Sequence, residues 1–582
     1  MKRVLRSCGS IVLYACLAAL AAHPAQALTP VGARHGMVVS ASAPATAAGV
    51  EILRRGGNAV DAAVAVGFAL AVTYPAAGNI GGGGFMLVRM ADGRTVAIDY
   101  RETAPAAATR DMYLDAQGEP TPRASSRGPR AAGVPGTVAG LALALQRYGT
   151  MDLATVMHPA IDLARRGVPV GYPMYRSIVE EDRGEALADF RTFPTTARVF
   201  LRNGEAYAVG DTLRQPDLAW TLEQIARGGA DAFYRGAVTE RIERAIRRDG
   251  GIITKADLAA YRPVIREPLT GTYRGYTIHT MPLPSSGGII LIGLLHALEG
   301  EDVAALGHNS AAFVHRFAEL CNRYYADRAF YLGDPAFAPA PALGLASRAY
   351  ALRVRAGIDT ARHTPGRQIA HGDSAWLWRA SRTPEESRET THFSIVDASG
   401  NAVANTYTLN ESFGSRYVVE GAGFLLNDEM DDFSIKPGAP NAYGLLGGSA
   451  NAIAPGKRML SSMTPTIVTR DGKLFLVLGS PGGGRIITSI CQVLINVIDH
   501  GMNLQDAVAA ARVHSQWLPD KVDVEPVGFP RDVVAALEAR GHTVDATYGY
   551  WGQVHAILFD PKRGLLLGAA DPRAGDGRAA GY

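Results

Sequence analysis

The stretch ESRETTHFSIVDASGNAVANTYTLN, Glu386 to Asn410, sets a polar run directly against a strand pattern. From Thr391 to Asp397 the apolar Phe393 and Ile395 alternate with polar neighbours, the two-residue period of a half-buried strand. DASGN, Asp397 to Asn401, reads as a turn, and Ala402 to Leu409 as the returning strand of a hairpin. β-Branched residues suit a pleated surface, so a Thr heading a strand is by itself an ordinary structural residue. The preceding segment, His371 to Glu389, is mostly polar and charged with no sustained period. It reads as a linker or surface loop, a place where cleavage is tolerated.

Outward from this hairpin, helix and strand patterns mix. Two Ala-rich helices flank Gly56-Gly57-Asn58, and a glycine run, GNIGGGG, leads into a strand from Phe85 to Met90. A phosphate-binding glycine loop leaves a strand and opens a helix. Here the order is reversed, so close backbone packing explains the run better. A mostly helical region extends to about residue 360, broken by strands near GTYRGYTIHTMPLP. Beyond Thr390 come a hairpin turning at Asp471-Gly472, an apolar helix ending at Gly501, and a hairpin in HAILFDPKRGLLLGAA. Periodicity alone gives a mixed α and β chain, with two sheets covered by helices.

The 582 residues are 47% hydrophobic and 19% charged, a globular composition. Residues 1–27 have a basic start (Lys2, Arg3, Arg6), a short apolar run (Ile11 to Ala22) and Ala25-Gln26-Ala27, the pattern of a cleaved export signal. The apolar run is shorter than the roughly 20 residues a membrane anchor needs. Setting aside the three basic residues of 1–27, the 58 Lys and Arg fall to 55, equal to the 55 Asp and Glu. Such a balance is not the footprint of a nucleic-acid binder. Cys8 and Cys16 leave with the signal, and Cys321 and Cys491 are expected as buried thiols rather than a bridge. No metal-ligand spacing is present, so neither metal nor cofactor is expected.

Twelve ordered motifs, running from about residue 36 to 582, carry a resemblance: GGNAVDAAVA, GGGGFMLV, DYRETAP, GVPGTVAG, LPSSGG, YADRAFYLGDP, TTHFSIVD, TYTLNESFG, LLNDEMDDFS, LSSMTPTIV, GSPGGGRIIT and the terminal DPR…AGY. In these the chain resembles the γ-glutamyltransferases (γ-glutamyltranspeptidases). The resemblance implies an α+β fold, the αββα sandwich of N-terminal-nucleophile hydrolases, shared by two chains cut from one precursor. It places the signal at 1–27, a large chain at 28–389 and a small catalytic chain at 390–582, the two forming a heterodimer. A threonine hydroxyl is a weak nucleophile unless a base takes its proton. A free α-amino group, titrating near 8, can be that base, whereas an amide nitrogen cannot.

Residue roles carry over on the same motifs. Thr390 is the nucleophile, Thr408 orients it, and the backbone N–H groups of Gly482 and Gly483 form the oxyanion hole. Gly484 stands where bacterial members carry Ser, which implies a more flexible turn. Arg101, helped by Ser461 and Ser462, grips the donor's α-carboxylate. Asn410, Glu429 and Asp432 receive its α-ammonium, Glu429 replacing the Gln of some bacterial members. KPGAPNAYGLLGGSANAIAPGKRM resembles a lid closed by Tyr443. The implied reaction transfers the γ-glutamyl group of glutathione and related amides to water, amino acids or dipeptides, in the periplasm or outside the cell. The alternatives are an acylase removing glutaryl groups from β-lactam amides, a poly-γ-glutamate hydrolase, which the lid argues against, and an exported binding protein that has lost processing.

Overall fold

The computed structural model describes residues 28–180, 184–379, 391–547 and 549–582. The leader and Thr390 therefore lie outside the described residues. In chain order the strands of the two large sheets are β1 (Val31–Ala33), β2 (Met37–Ser40), β3 (Gly83–Arg89), β4 (Thr95–Asp99), β5 (Val264–Arg266), β6 (Leu269–Tyr273), β7 (Tyr276–Thr280), β8 (Thr391–Val396), β9 (Ala402–Thr408), β10 (Thr466–Arg470), β11 (Lys473–Gly479), β12 (His555–Asp560), β13 (Leu565–Ala570) and β14 (Arg578–Gly581). One seven-stranded sheet has the order β14-β2-β8-β9-β3-β4-β5, the other β1-β13-β12-β11-β10-β7-β6. The sheets stack, and Phe85, Leu87 and Ala404 of the first share one buried cluster with Ile467 and Val477 of the second.

Helices cover both outer faces, as the sandwich expectation requires. α1 (Ala43–Arg54) and α2 (Ala59–Thr73) lie on the first sheet. There Phe393, Ile395 and Tyr407 join the apolar residues of α2 in a second cluster. α2 begins where Asn58 accepts from the backbone N–H of Val60 and Asp61 while the Asp61 carboxylate accepts from Asn58 N, a reciprocal cap. Buried from Ala59 to Val72, it is rich in alanine because neighbours pack closely on every side. α3 (Ser286–Leu298), α4 (Ala311–Tyr331) and α5 (Arg485–Ile498) belong to the cluster of the second sheet.

The central hairpin forms as the alternation indicates, with Thr391 opposite Tyr407 and Val396 opposite Ala402. It is not half-buried, however: every residue of β8 and β9 is enclosed. The polar face turns toward the second sheet, where the His392 ring bonds Thr406 Oγ1 (2.7 Å) and Ser394 Oγ (3.0 Å) and Ser394 donates to the His555 carbonyl (3.0 Å). Alternation reports polarity, and buried polar side chains that satisfy one another mimic a solvent face.

The glycine run is a packing device, as its order relative to the strand implied. A methyl on Gly82 would overlap the Thr408 carbonyl oxygen, and one on Gly84 would overlap Tyr407. Asp471 and Gly472 turn the β10–β11 hairpin with φ of +50° and +73°. Within the expected 371–389 linker, Ser374–Arg379 form a short helix and residues 380–389 lie outside the described residues. Cys321 and Cys491 are buried, unbridged thiols whose pKa burial pushes up.

The two portions of the chain are interleaved. β2 lies between β14 and β8, so a strand preceding Thr390 is flanked on both sides by strands that follow it. In the other sheet β7 pairs with β10 and β1 with β13. The final residue is fastened to the same edge: the Tyr582 carbonyl accepts from Arg34 N (3.0 Å) and His35 N (2.7 Å), and its hydroxyl donates to the Leu53 carbonyl (3.0 Å).

Candidate functional site

Thr408 closes β9 opposite Gly83 and is fully buried. Its Oγ1 accepts from Asn410 N at 2.7 Å, and its carbonyl accepts from Asn79 Nδ2 at 2.8 Å. Asn410 adopts a left-handed φ of +83°, a conformation Asn tolerates better than most residues. That turn carries its amide Nδ2 to the Asp428 carbonyl (3.1 Å) and leaves Oδ1 buried without a hydrogen-bond partner.

Arg101 follows β4 and is wholly buried, its backbone N–H held by Asp99 Oδ1 (3.0 Å) and its carbonyl by the Tyr261 hydroxyl (2.8 Å). Glu429 and Asp432 come from a buried 3-10 turn, Glu429–Asp432. Arg101 Nη2 lies 2.6 Å from Glu429 Oε2, an ion pair off the hydrogen-bond line, and donates to Asp432 Oδ2 at 2.7 Å. Nη1 donates to Glu102 Oε2 at 3.3 Å. Arg101 Nε, Glu102 Oε1 and Glu429 Oε1 have no hydrogen-bond partner.

One guanidinium thus faces three carboxylates out of water. Burial works to lower the Arg101 pKa, but Glu429, Glu102 and Asp432 outweigh it and hold the group above its ordinary value. Burial pushes the Glu102 carboxyl up to about 7 against the pull of Arg101. Burial also raises Glu429, with Glu102 and Asp432 adding to the rise and Arg101 opposing it.

Ser461 and Ser462 are buried, and Ser461 N donates to the Pro284 carbonyl at 3.1 Å. Asn451 ties this segment to the ionic cluster, donating to the Asp432 carbonyl (2.7 Å) and accepting from Leu460 N (3.1 Å). The loop expected as a lid folds over the acidic turn. Asn441 Nδ2 donates to Asp432 Oδ1 (3.3 Å), Ala442 N to Asp431 Oδ2 (3.0 Å), and Tyr443 is half-buried with its carbonyl accepting from Gln516 Nε2 (3.2 Å).

Gly482 and Gly483 have φ of +130° and +56°, values that favour glycine. Gly482 borders an open cavity that also reaches Asn410. Gly484 does not share the unusual backbone: its φ of −52° and ψ of −25° are ordinary helical values at the start of α5. The expected looseness is offset by hydrogen bonds from Arg485 N to the Gly482 carbonyl (3.0 Å), from Ile486 N to the Gly483 carbonyl (3.0 Å), and from the Tyr325 hydroxyl to the Gly484 carbonyl.

Three buried contributors were not singled out from sequence. Glu102 completes the ionic cluster, and its only sequence signal is adjacency to Arg101. Asn79 bonds Thr408, Gly82 and Thr137. Asn427 links the carbonyls of Gly81 and Gly133 to the N–H groups of Gly133 and Glu429. Little in the local sequence marks either asparagine, because Thr408 and Thr137 are distant from Asn79, and Gly81 and Gly133 from Asn427.

Comparison with known proteins identifies the family and the fold. A family model described as Gamma-glutamyltranspeptidase matches residues 45–582. A curated relative, the glutathione hydrolase proenzyme of Escherichia coli (strain K12), is 49% identical over 585 residues, covering 97% of each chain. The crystal structure of cephalosporin acylase from Bacillus halodurans superposes with a TM-score of 0.82 at 28% identity, covering 96% of this chain and 98% of the acylase. That of Helicobacter pylori gamma-glutamyltranspeptidase gives 0.56 at 43% identity, covering 60% of this chain and 97% of the other.

Proposed function

Because the chain belongs to the gamma-glutamyltranspeptidase family, we propose that it is a self-processing γ-glutamyl transferase and hydrolase whose donors are glutathione and related γ-glutamyl amides. Three unpaired buried atoms carry the assignment. Arg101 Nε is a donor that suits a carboxylate, whereas Glu429 Oε1 and Asn410 Oδ1 are acceptors that suit an ammonium. Buried polar atoms left without partners cost about 1–3 kcal/mol each, and the zwitterionic end of a γ-glutamyl group satisfies all three.

In this reading cleavage after Glu389 frees the α-amine of Thr390. The amine takes the proton of Oγ1 as that oxygen attacks the γ-carbonyl carbon. The ladder supports a role for Thr408, since Thr391 pairs with Tyr407 and Thr408 is the next position beyond. Its hydroxyl accepts from Asn410 N, which directs its own proton elsewhere, toward the nucleophile. The N–H groups of Gly482 and Gly483 hold the oxyanion. Collapse expels the leaving amine and leaves a γ-glutamyl ester, and water or an amine then releases the acyl group, giving ping-pong kinetics. Ser461 and Ser462 assist at the carboxylate, and Tyr443 closes the lid.

An intact-mass spectrum of the exported protein tests the processing. Two chains are expected, the larger beginning at Leu28 if 1–27 is removed on passage to the periplasm and the smaller at Thr390. One persistently uncut chain would overturn the reading in favour of a binding protein. The acylase alternative is separated by substrate: a glutaryl anilide lacks the ammonium and leaves Glu429 Oε1 and Asn410 Oδ1 unpaired. The γ-glutamyl anilide should be preferred about 10³-fold in kcat/KM, and equal rates would favour the acylase.

Glu429 also sets a pH dependence. Its carboxyl is raised in the empty site, and a neighbouring ammonium favours the ionised form. Donor binding therefore lowers the Glu429 pKa, and affinity strengthens as pH rises between its bound and empty values. Glu429→Gln should flatten this acid limb in a pH profile of donor KM, leaving the part due to Glu102. An unchanged profile would remove Glu429 from ammonium recognition.

A further inference from the structure

His315 and Glu319 stand four residues apart on α4, so both side chains leave the helix on one face. His542 meets them from the portion of the chain after Thr390. A ring nitrogen of each histidine and a Glu319 oxygen lie within 4.8 Å of one another, and all three residues are buried. Among the described residues this is the one such group of three. His363 adjoins it, with Nδ1 2.8 Å from Glu319 Oε1 and its ring centre 4.4 Å from that of His542. None of the four belongs to the γ-glutamyl site proposed above.

The surroundings orient these groups. His315 Nε2 donates to the Asp359 carbonyl at 2.8 Å. A carbonyl can only accept, so in the neutral ring Nδ1 keeps its lone pair, and it faces His542 Nε2 at 2.7 Å. His363 Nε2 lies 3.0 Å from Asp520 Oδ1, the carboxylate–histidine arrangement that fixes metal-binding imidazoles. Arg323 Nη1 donates to Glu319 Oε2 at 2.7 Å, which leaves Oε1 facing the rings. Burial lowers the His315 pKa and takes that of His542 down to about 4, so both rings are neutral at pH 7, as ligands must be. Burial would raise the Glu319 carboxyl, but hydrogen bonds from His363, Thr364 and Arg323 overcome it and hold it at about 2.

We propose that His315 Nδ1, His542 Nε2 and Glu319 Oε1 bind a divalent transition metal, zinc by preference, with His363 Nδ1 as the fourth ligand. Imidazole suits zinc rather than the hard cations calcium and magnesium, and histidines with a glutamate form one of zinc's protein ligand sets. Zinc–nitrogen bonds of about 2.0–2.1 Å set tetrahedral ligand atoms about 3.3 Å apart. The two rings, now at 2.7 Å, therefore part by roughly 0.6 Å to admit the ion. The proton between them moves to His542 Nδ1. His363, raised by Glu319 and Asp520 against burial, releases its Nδ1 proton to solvent and keeps Nε2–H on Asp520. His542 lies 227 positions beyond His315, so no local spacing announces the group, and a metal was not expected from sequence for that reason. On the processing reading above, three ligands belong to the large chain and one to the small, so the ion joins the two. His363 N donates to the Arg540 carbonyl (2.7 Å) across the same seam.

The test uses untagged protein, stripped with EDTA, dialysed against zinc sulfate and desalted, with bound metal read by plasma mass spectrometry. One zinc per molecule is expected, and at 100 times its Kd zinc should raise the melting temperature by about 2 °C. Cobalt(II) in its place should give the visible absorption of a tetrahedral site. His542→Gln and Glu319→Gln should each lower zinc affinity beyond the roughly 10–100-fold that loss of a supporting residue costs. A cooperative melt shows that each variant is folded. His308→Gln, in the separate His308–His500 pair, should retain the full zinc content. A native protein that keeps no zinc, or a His542→Gln protein that keeps it all, overturns the proposal. An uncut chain that binds one zinc supports the site and removes only its joining of two chains, so the processing reading and the metal site fail separately.

Discussion

Thr390→Ala protein should remain one uncut chain and lose γ-glutamyl anilide hydrolysis by about 10⁶-fold, the scale seen when a covalent nucleophile is removed. Both losses come from one oxygen. The hydroxyl that attacks the substrate carbonyl in the mature enzyme is the only nucleophile the proposal allows for attack on the Glu389 carbonyl in the precursor. Thr390→Ser keeps an oxygen at that place, so processing and turnover should persist at reduced rate while the alanine variant shows neither. An intact-mass time course and a chromogenic assay read the two effects separately. Native-like cleavage of the alanine protein would move the cut, and with it the nucleophile, to another residue.

Arg101→Gln should have the next largest effect, about 10³-fold in kcat/KM for γ-glutamyl donors. Truncating one member of a buried, hydrogen-bonded charge pair costs about 2–5 kcal/mol, and each 1.4 kcal/mol is about tenfold. Lysine should rescue little, because a point charge cannot reproduce the planar fork that meets Glu102, Glu429 and Asp432 together. The variant also acquires a pH signature. Without the guanidinium, three carboxylates share a dry site, and their folded pKa values rise beyond the already raised Glu102 and Glu429. The folded state then binds more protons than the unfolded one, so stability is present at low pH and is lost as pH rises through those folded values. The melting temperature of Arg101→Gln should accordingly drop, relative to the native protein, more at pH 8 than at pH 5. Native catalysis in this variant would remove Arg101 from donor binding.

The sequence was most informative where chemistry is local. The β8–β9 and β10–β11 hairpins follow from alternation and turn residues, and α1 and α2 from the two Ala-rich runs that flank Gly56-Gly57-Asn58. The GNIGGGG run was legible as packing because its order relative to the strand is wrong for phosphate. Long-range partners were not legible. His392 and Ser394 look like a solvent face until the second sheet covers them, and Glu102 looks like any acid beside an arginine. Tyr172 and Tyr550, 378 positions apart in the chain, line one open cavity, and no window of sequence reports that. The motifs carried Arg101, Glu429 and Asp432 to one place, and the structure brings all three together.

The placement of β2 between β14 and β8 bears on assembly as well as chemistry. If the chain is cut after Glu389, as proposed, neither fragment owns a complete sheet, so neither can bury its strands alone. Separately expressed halves should be poor folders, since a strand edge without its neighbours invites aggregation. In the precursor the tether supplies an effective concentration on the order of millimolar for the two portions. Once cut, the pair melts as one unit but must find itself again by diffusion. Maturation thus turns a reversible folding problem into a one-way step, and a denatured mature enzyme should recover less activity on dilution than a denatured precursor.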